Sequence, residues 1–393
     1  MSPPRVMIWA QHLLGIGHLK RAAALARGFA EAGLETILVS GGLPVTGLAL
    51  GGARLIQLPP LKTVGDGRWA LLDRGGAPVD EAWLARRRDR LLDIFRALRP
   101  AALVLEMYPF GRRQFAFELE PLLDAATAVQ PRPLVLCSVR DVLQRNDKPG
   151  RAETIAELVA RRFDHVLVHG DPAVLPFDAS FAQAARIADR LSHTGFVRAS
   201  TDGGAAPAAR RGVVVSAGGG AVGTALLQTA LAARPLSALA DAPWQLLTGP
   251  NLPEAAFDAL VKAGKAAGAG LTVARARDDF PRLLATAAVS VSQGGYNTIT
   301  DLIAARVAAV VVPFARGGES EQTMRATRLA EMGLLRVLAE DGLTPARLAA
   351  AIDAAAAAGP MDASDLDLSG VETSARLLSG WLAERRARLG AVE

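Results

Sequence analysis

The 393-residue sequence contains one cysteine, Cys137. A single thiol excludes an internal disulfide framework and a zinc site built on cysteines. Its place in the apolar run PLVLCSV marks it as a small core residue. Long hydrophobic runs are also missing. No stretch approaches the roughly 18 apolar residues of a membrane-spanning helix, and the opening MSPPRVMIWAQ lacks the charged-then-apolar pattern of a secretion signal. These absences lead to the expectation of a cytoplasmic protein that meets a membrane at most peripherally. Aromatic residues make up only 5% of the chain, and no stacking platform or binding module accompanies the basic residues, so nucleic acid is not an expected partner.

What is present is a large apolar fraction. Half the residues are hydrophobic and 21% are charged, which suits a folded globular protein. The length exceeds one ordinary core and favours two domains of roughly 150 to 200 residues. The net charge of +5 comes mostly from scattered arginines, with one cluster in WLARRRDRLLDIFRALRP, residues 83–100. There Leu84, Leu91, Leu92, Phe95 and Leu98 fall at helical spacing, with arginines on the remaining faces. The stretch reads either as a surface helix packed on its own domain or as a basic face for anionic lipid or phosphate.

Short apolar strands alternate with helical stretches throughout, the pattern of parallel α/β sheets. The strands expected in the first half are RVMIWA, ETILVS, ARLIQL, ALVLEM, PLVLCSV and DHVLVHG; in the second, GVVVSAG, WQLLTG, LTVARA, AVSVSQ, AAVVVPF and LLRVLA. Periodicity breaks down over residues 193–212, where Gly, Ala, Pro and Thr dominate. The expected fold is therefore two doubly wound, Rossmann-like domains facing a cleft. The first covers residues 1–197 and the second residues 198–372. Residues 373–393 form a last helix that crosses back to the first domain. Ligands of such sheets bind beyond the carboxyl ends of the strands.

The loop VVVSAGGGAVGTALL places Gly218, Gly220 and Gly223 in G-x-G-x-x-G spacing. A nicotinamide site would need an acidic residue after the next strand, but that strand ends in Thr248, Gly249 and Pro250. A glycine-rich turn at a helix N-terminus still suits a phosphate; a tight turn with no ligand is the other reading. Residues 289–333 are more informative. A strand runs into Ser292, Gln293, Gly294 and Gly295, a helix starts near Asn297 with Asp301 one turn in, and Glu321 and Gln322 open the next helix. Amides for phosphates sit beside carboxylate and amide side chains that suit sugar hydroxyls, the chemistry of a nucleotide-sugar.

This order of strand, Ser-x-x-Gly, Asn-Thr, acidic residue, strand ending in proline and Gln-containing helix resembles the donor half of GT-B glycosyltransferases, closest to the MurG-like N-acetylglucosaminyltransferases. The resemblance runs over most of the chain and is most specific in residues 289–333. It implies that Asp301 stands where the family grips the ribose with a Glu, one methylene longer. Glu321 and Gln322 match the pair on the donor sugar, and Gly294, Gly295, Tyr296, Asn297 and Thr298 the pyrophosphate side. Gly219 and Gly220 match a second phosphate loop, and Arg198 an arginine near the α-phosphate. Arg277 stands where the family has an apolar residue beside the uracil. Each also has a plain alternative: a dipole partner for Asp301, a helix surface for Glu321 and Gln322, a solvated linker charge for Arg198.

Glycosyl transfer needs a base for the acceptor hydroxyl and a cradle for the departing diphosphate. The nucleotide-sugar is a substrate, so no cofactor and no metal is expected. Asp365 and Asp367, the D-x-D triplet considered, read as solvated loop. In QHLLGIGHLKR, Gly15 and Gly17 precede His18 and Arg21, matching a Gly-x-Gly-His-x-x-Arg segment of nucleotide-sugar hydrolases of this fold, where the His is the base. His18 is thus the candidate base, with acceptor binding or a helix start as alternatives. His12 reads as structural. Asp141 could assist, and His169 and Asp171 are further candidates. The expected activity is inverting, metal-independent transfer from a UDP-sugar, or another nucleotide-sugar, to an acceptor hydroxyl, with a lipid-linked acceptor as one expectation. A nucleotide-sugar hydrolase, an epimerase of the same fold and a non-catalytic nucleotide-binding scaffold are the alternatives.

Overall fold

The structure, a computed structural model, describes residues 3–13, 15–63, 70–144, 148–199, 209–218, 223–249, 252–315 and 320–390. The chain forms two compact units, Met1–Ala199 with Asp367–Glu393, and Ser200–Leu366.

The first unit runs β1 (Arg5–Ala10), α1 (Gly17–Glu31), β2 (Glu35–Ser40), β3 (Arg54–Gln57), α2 (Glu81–Leu98), β4 (Ala102–Glu106), α3 (Ala116–Ala128), β5 (Leu134–Arg140), α4 (Arg151–Arg162), β6 (His165–His169) and β7 (Leu191–His193). Its seven parallel strands lie in the order β3-β2-β1-β4-β5-β6-β7. Side chains alternate between the two faces of each strand. Met7 and Trp9 of β1 therefore join the core under α2 and α3, while Val6, Ile8 and Ala10 join the core under α1. Cys137 is buried in β5, as its sequence context implied.

The second unit runs β8 (Val213–Ser216), α5 (Thr224–Ala233), β9 (Trp244–Thr248), α6 (Glu254–Ala266), β10 (Leu271–Arg275), α7 (Phe280–Thr286), β11 (Val289–Ser292), α8 (Tyr296–Ala305), β12 (Ala308–Val311), α9 (Glu321–Glu331), β13 (Arg336–Val337) and α10 (Pro345–Ala358). Its six parallel strands take the order β10-β9-β8-β11-β12-β13. Both sheets reverse direction once, between β1 and β4 and between β8 and β11. Such switch points open a crevice at the strand carboxyl ends. The short strand β7 falls where the sequence expects a boundary, because three residues show no readable period.

The last helix, α11 (Gly370–Gly390), belongs to the first unit. Val371, Ala375, Leu378 and Leu382 join the core that α1 covers. At Gly28 of α1 an added Cβ would overlap Val371 Cγ1 of α11, so the absent side chain lets the two helices touch. Among the described residues, no helix is long and apolar enough to cross a membrane.

Helix α2 departs from the expectation that its arginines face outward. Arg87 is fully buried. Its Nε donates to Glu118 Oε2 at 2.7 Å, Nη2 to Glu118 Oε1 at 3.0 Å and to Gln11 Oε1 at 2.8 Å, and Nη1 to Gly41 O at 2.9 Å. Trp9 Nε1 donates to the same carboxylate at 3.1 Å. An arginine has five N–H donors in a fixed fork, and here the fork ties α2 to β1, α3 and the loop after β2. Of the remaining arginines, Arg88 pairs with Asp89 and Arg96 with Asp93, so the basic face is narrower than the sequence suggests.

The α1–α11 contact sets opposite signs for two glycine substitutions. In an open helix, Gly→Ala stabilises by about 1 kcal/mol, and Gly380 of α11 has nothing within 4 Å of its would-be Cβ. Gly380→Ala is expected to raise the melting temperature, whereas Gly28→Ala, which overpacks against a stiff β-branched side chain, is expected to lower it by about 1–3 kcal/mol of stability. Thermal unfolding of the two variants beside the parent checks both signs.

Candidate active site

The site in the first unit grows from the switch point of its sheet. β1, β4 and β5 are adjacent; the β4–β5 register pairs Glu106 with Ser138, and the β5–β6 register pairs Arg140 with His169. Glu106 is the last residue of β4 and is fully buried. After β1 the chain turns through Gly15 and Gly17 into α1, with His18 in its first turn and Arg21 one turn further. That turn sets both side chains against the end of β4. His18 Nδ1 lies 3.1 Å from Glu106 Oε1, and Arg21 Nη2 donates to the same oxygen.

A chain of hydrogen bonds supports the carboxylate from behind. Ser138 Oγ lies 2.6 Å from Glu106 Oε2 and 2.9 Å from His169 Nε2, and His169 Nδ1 lies 2.9 Å from Thr194 Oγ1. Ser138, His169 and Thr194 are each fully buried. The directions follow from what each group can do. An ionised carboxylate only accepts, so the Ser138 hydroxyl donates to Glu106. Its oxygen then accepts from His169 Nε2–H, which leaves Nδ1 to accept from the Thr194 hydroxyl. The same rule gives His18 its tautomer: Nδ1–H donates to Glu106, and Nε2 carries the lone pair. Arg21 Nη2 stands 3.3 Å from Nδ1, but its hydrogen goes to the carboxylate.

Burial pushes the His18 pKa well below 6.5, and the charges of Arg112, Arg21 and Arg140, with His12, push it the same way. Burial likewise takes His169 down to about 3, so it stays neutral. A neutral imidazole with one ring nitrogen anchored on a carboxylate and the other holding a lone pair is the arrangement of a general base.

The other residues singled out in the first unit fall around this core. His12 is buried, with its pKa lowered chiefly by burial. Asp141 Oδ1 accepts from the Val142 amide at 2.9 Å, and its Cβ packs on Gly170. Asp171 Oδ1 accepts from the Ala173 amide and its Oδ2 from the Asp367 amide. Asp367 in turn accepts from the Ser369 amide and hydroxyl at the start of α11. Arg198 is partly buried at the end of this unit. The residues that sequence reasoning missed are Glu106 and Ser138. Only the strand order could have found them, since β4 and β5 read as plain apolar runs.

In the second unit β11 delivers Gly294 and Gly295 to the start of α8, which Gly295 opens without a side-chain cap. Uncapped first-turn amides form an anion-binding end. Gly294 fits tightly: an added Cβ would lie 3.2 Å from Val311 Cγ1 and 3.4 Å from Gln322 Cβ. Glu321 is buried at the start of α9, and Gln322 Oε1 accepts from the Phe314 amide at 3.1 Å. Arg325, unforeseen and fully buried, gathers these pieces. Its Nη1 donates to Gly294 O at 3.2 Å and lies 3.7 Å from Glu321 Oε1, and its guanidinium sits 5.4 Å from the Tyr296 ring centre. Asn297, Thr298 and Asp301 are partly buried along α8. Arg277 is exposed, and two prongs to Asp279 at 2.7 and 2.6 Å hold it. Gly219 and Gly220 lie outside the described residues. Among the described residues, no three His, Cys, Asp or Glu side chains gather as metal ligands.

Residues 213–366 match the glycosyltransferase family 28 C-terminal domain. No curated relative matches the sequence. Among solved structures, MurG of Acinetobacter baumannii is similar over 96% of this chain and 100% of its own, with TM-score 0.62 and 16% identity. CalG4, the calicheamicin glycosyltransferase, is similar over 100% and 98%, with TM-score 0.57 and 18% identity. The spinosyn rhamnosyltransferase SpnG is similar over 97% and 96%, with TM-score 0.58 and 16% identity.

All five histidines have pKa values held below 6.5, with burial the largest cause in each. Above pH 6.5 folded and unfolded chains are both neutral there. Below it the unfolded chain takes up protons that the folded chain refuses, so stability falls with pH, by up to about 1.4 kcal/mol per pH unit for each histidine that refuses fully. Thermal melting between pH 7.5 and 5 is expected to show a decline that starts near pH 6.5, and a flat profile would contradict the buried neutral rings.

Proposed function

We propose that the chain, which carries a glycosyltransferase family 28 C-terminal domain in residues 213–366 and shares its fold with MurG, is a MurG-like glycosyltransferase that moves a sugar from a nucleotide-sugar, a UDP-sugar by family resemblance, to an acceptor hydroxyl with inversion and without a metal. The single observation that carries this reading is the His18–Glu106 contact, which leaves His18 Nε2 as a base. The second unit holds the donor in this reading. The α8 amides at Tyr296, Asn297 and Thr298 receive the diphosphate, while Asp301, Glu321 and Gln322 receive hydroxyls. The first unit holds the acceptor.

In the reaction His18 Nε2 takes the proton from the acceptor hydroxyl as its oxygen bonds to the anomeric carbon. The bond to the diphosphate breaks on the opposite face, which inverts the centre. Negative charge developing on the leaving oxygen falls on oriented amides, which need no reorganisation as it forms. The imidazolium is stabilised by Glu106, whose own position is fixed by Ser138 and Arg21. Partly buried and anchored, the base starts neutral at every pH above its lowered pKa, so the acid limb of the pH–rate profile is expected below pH 6.5.

His18→Ala is expected to reduce turnover by about 10²–10⁴-fold while donor affinity, read as the thermal shift with each nucleotide-sugar, stays intact. Glu106→Gln keeps the shape but removes the charge and is expected to lower kcat more than it raises KM. Turnover that is unchanged in His18→Ala would remove the base assignment. Complete release of free sugar without acceptor, or loss of turnover in EDTA, would overturn acceptor transfer and metal independence respectively.

A further inference from the structure

The loop leaving β4 holds a strained arginine. Arg112 adopts the left-handed conformation at φ 61° without being a glycine, a strain of about 1–2 kcal/mol. Its Nε is closed off from water and has no hydrogen-bond partner. Burial, together with the like charges of Arg140 and Arg21, brings its pKa down to about 10, against the opposing pull of Glu106. Backbone strain and a shielded, unpartnered Nε seldom persist together unless the position has a use. Its Nε does not bond to Glu106, whose carboxylate receives Arg21, His18 and Ser138.

We propose that Arg112 is an acceptor-binding residue that grips a carboxylate or phosphate carried by the acceptor near its attacking hydroxyl, so that the substrate is an anionic alcohol. The proposal rests on His18 as the base of glycosyl transfer. The switch point of the sheet supports it: the base, its carboxylate and this arginine all leave the ends of adjacent strands β1 and β4. Guanidinium geometry matches carboxylate and phosphate oxygens in two-pronged fashion.

The arrangement has a second effect. The groups that act on His18 are Arg21 from α1, Glu106 from β4, Arg112 from the loop after β4, Arg140 from β5 and His12 from the loop after β1. Of the charges, Arg112 is the first to hold its basicity down. An anion on Arg112 cancels that charge, so the base strengthens when the acceptor is in place and stays weak when water alone is present. Acceptor recognition would thereby favour transfer over hydrolysis.

The test uses full-length protein, without donor or turnover, so its failure is separate from that of the transfer reading. The His18 ring is titrated by NMR in chloride at fixed ionic strength, then with inorganic phosphate, trifluoroacetate or UDP, in the parent and in Arg112→Gln. The expected result is a saturable rise in the His18 pKa with phosphate or trifluoroacetate in the parent, and no such response in Arg112→Gln, whose His18 pKa is already raised. A response to phosphate alone points to a phosphorylated acceptor; a response to trifluoroacetate points to a carboxylate. Arg112→Lys keeps the charge and is expected to bind the same anion about tenfold more weakly, one charge-assisted bond being lost. This variant tests the proposal even if Arg112→Gln fails to fold. No rise in the parent, an equal rise in Arg112→Gln, or a rise with UDP only, which would put the donor's phosphate on Arg112, overturns the proposal.

Discussion

A single carboxylate at the end of a central strand organises the first unit. Glu106 is out of reach of solvent, and three side chains from two elements donate to it: Arg21 and His18 from α1, and Ser138 from β5. A buried charge is tolerated only when paired and hydrogen-bonded, so the position of α1 relative to the sheet and the tautomer of His18 are tied to one group. Around the His18 ring it anchors, burial first and then the charges of Arg112, Arg21 and Arg140 hold the basicity down. Structure and reactivity thus share one constraint.

Much of the fold was legible because apolar runs separated by helical stretches are the direct signature of parallel strands buried on both faces. All twelve expected strands occur. The element that escaped, β7, is three residues long and lies in a Gly- and Thr-rich passage. His18 was legible for a local reason: two glycines and a basic partner mark a strand-to-helix turn. Its partner was not, because ALVLEM reads as an apolar strand with an incidental acid. Only the β1-β4-β5 order, a long-range property, brings Glu106 to His18. Asp141 satisfied the same local rule of an acid after a strand, yet its carboxylate is engaged by the next backbone amide. Arg87 shows the converse problem, since an amphipathic period cannot tell a surface arginine from one that enters the core to meet Glu118.

In the second unit the expected residues converge at the starts of α8 and α9, but their immediate tasks are mixed. Gln322 spends its oxygen on a backbone amide, and Gly294 is held by packing as well as by closeness to the α8 amides. Arg325 connects Gly294, Tyr296 and Glu321. Its spacing of four residues from Glu321 was visible, but such pairs usually lie on helix surfaces, where they contribute little. Burial is what gives this one its role.

The return of α11 to the first unit has a consequence in time rather than space. The chain leaves this unit after Ala199 and rejoins it at Asp367, where the Phe196 amide donates to Asp367 O at 2.7 Å. Unit two is therefore an insertion, and the covering helix for Leu25 and Phe29 is synthesised after it. During translation the core under α1 must wait for its last helix while a complete second core forms. Domains usually fold as units in the order they emerge. Here the domain that starts first finishes last, and the small α1–α11 seam around Gly28 is the final piece to close.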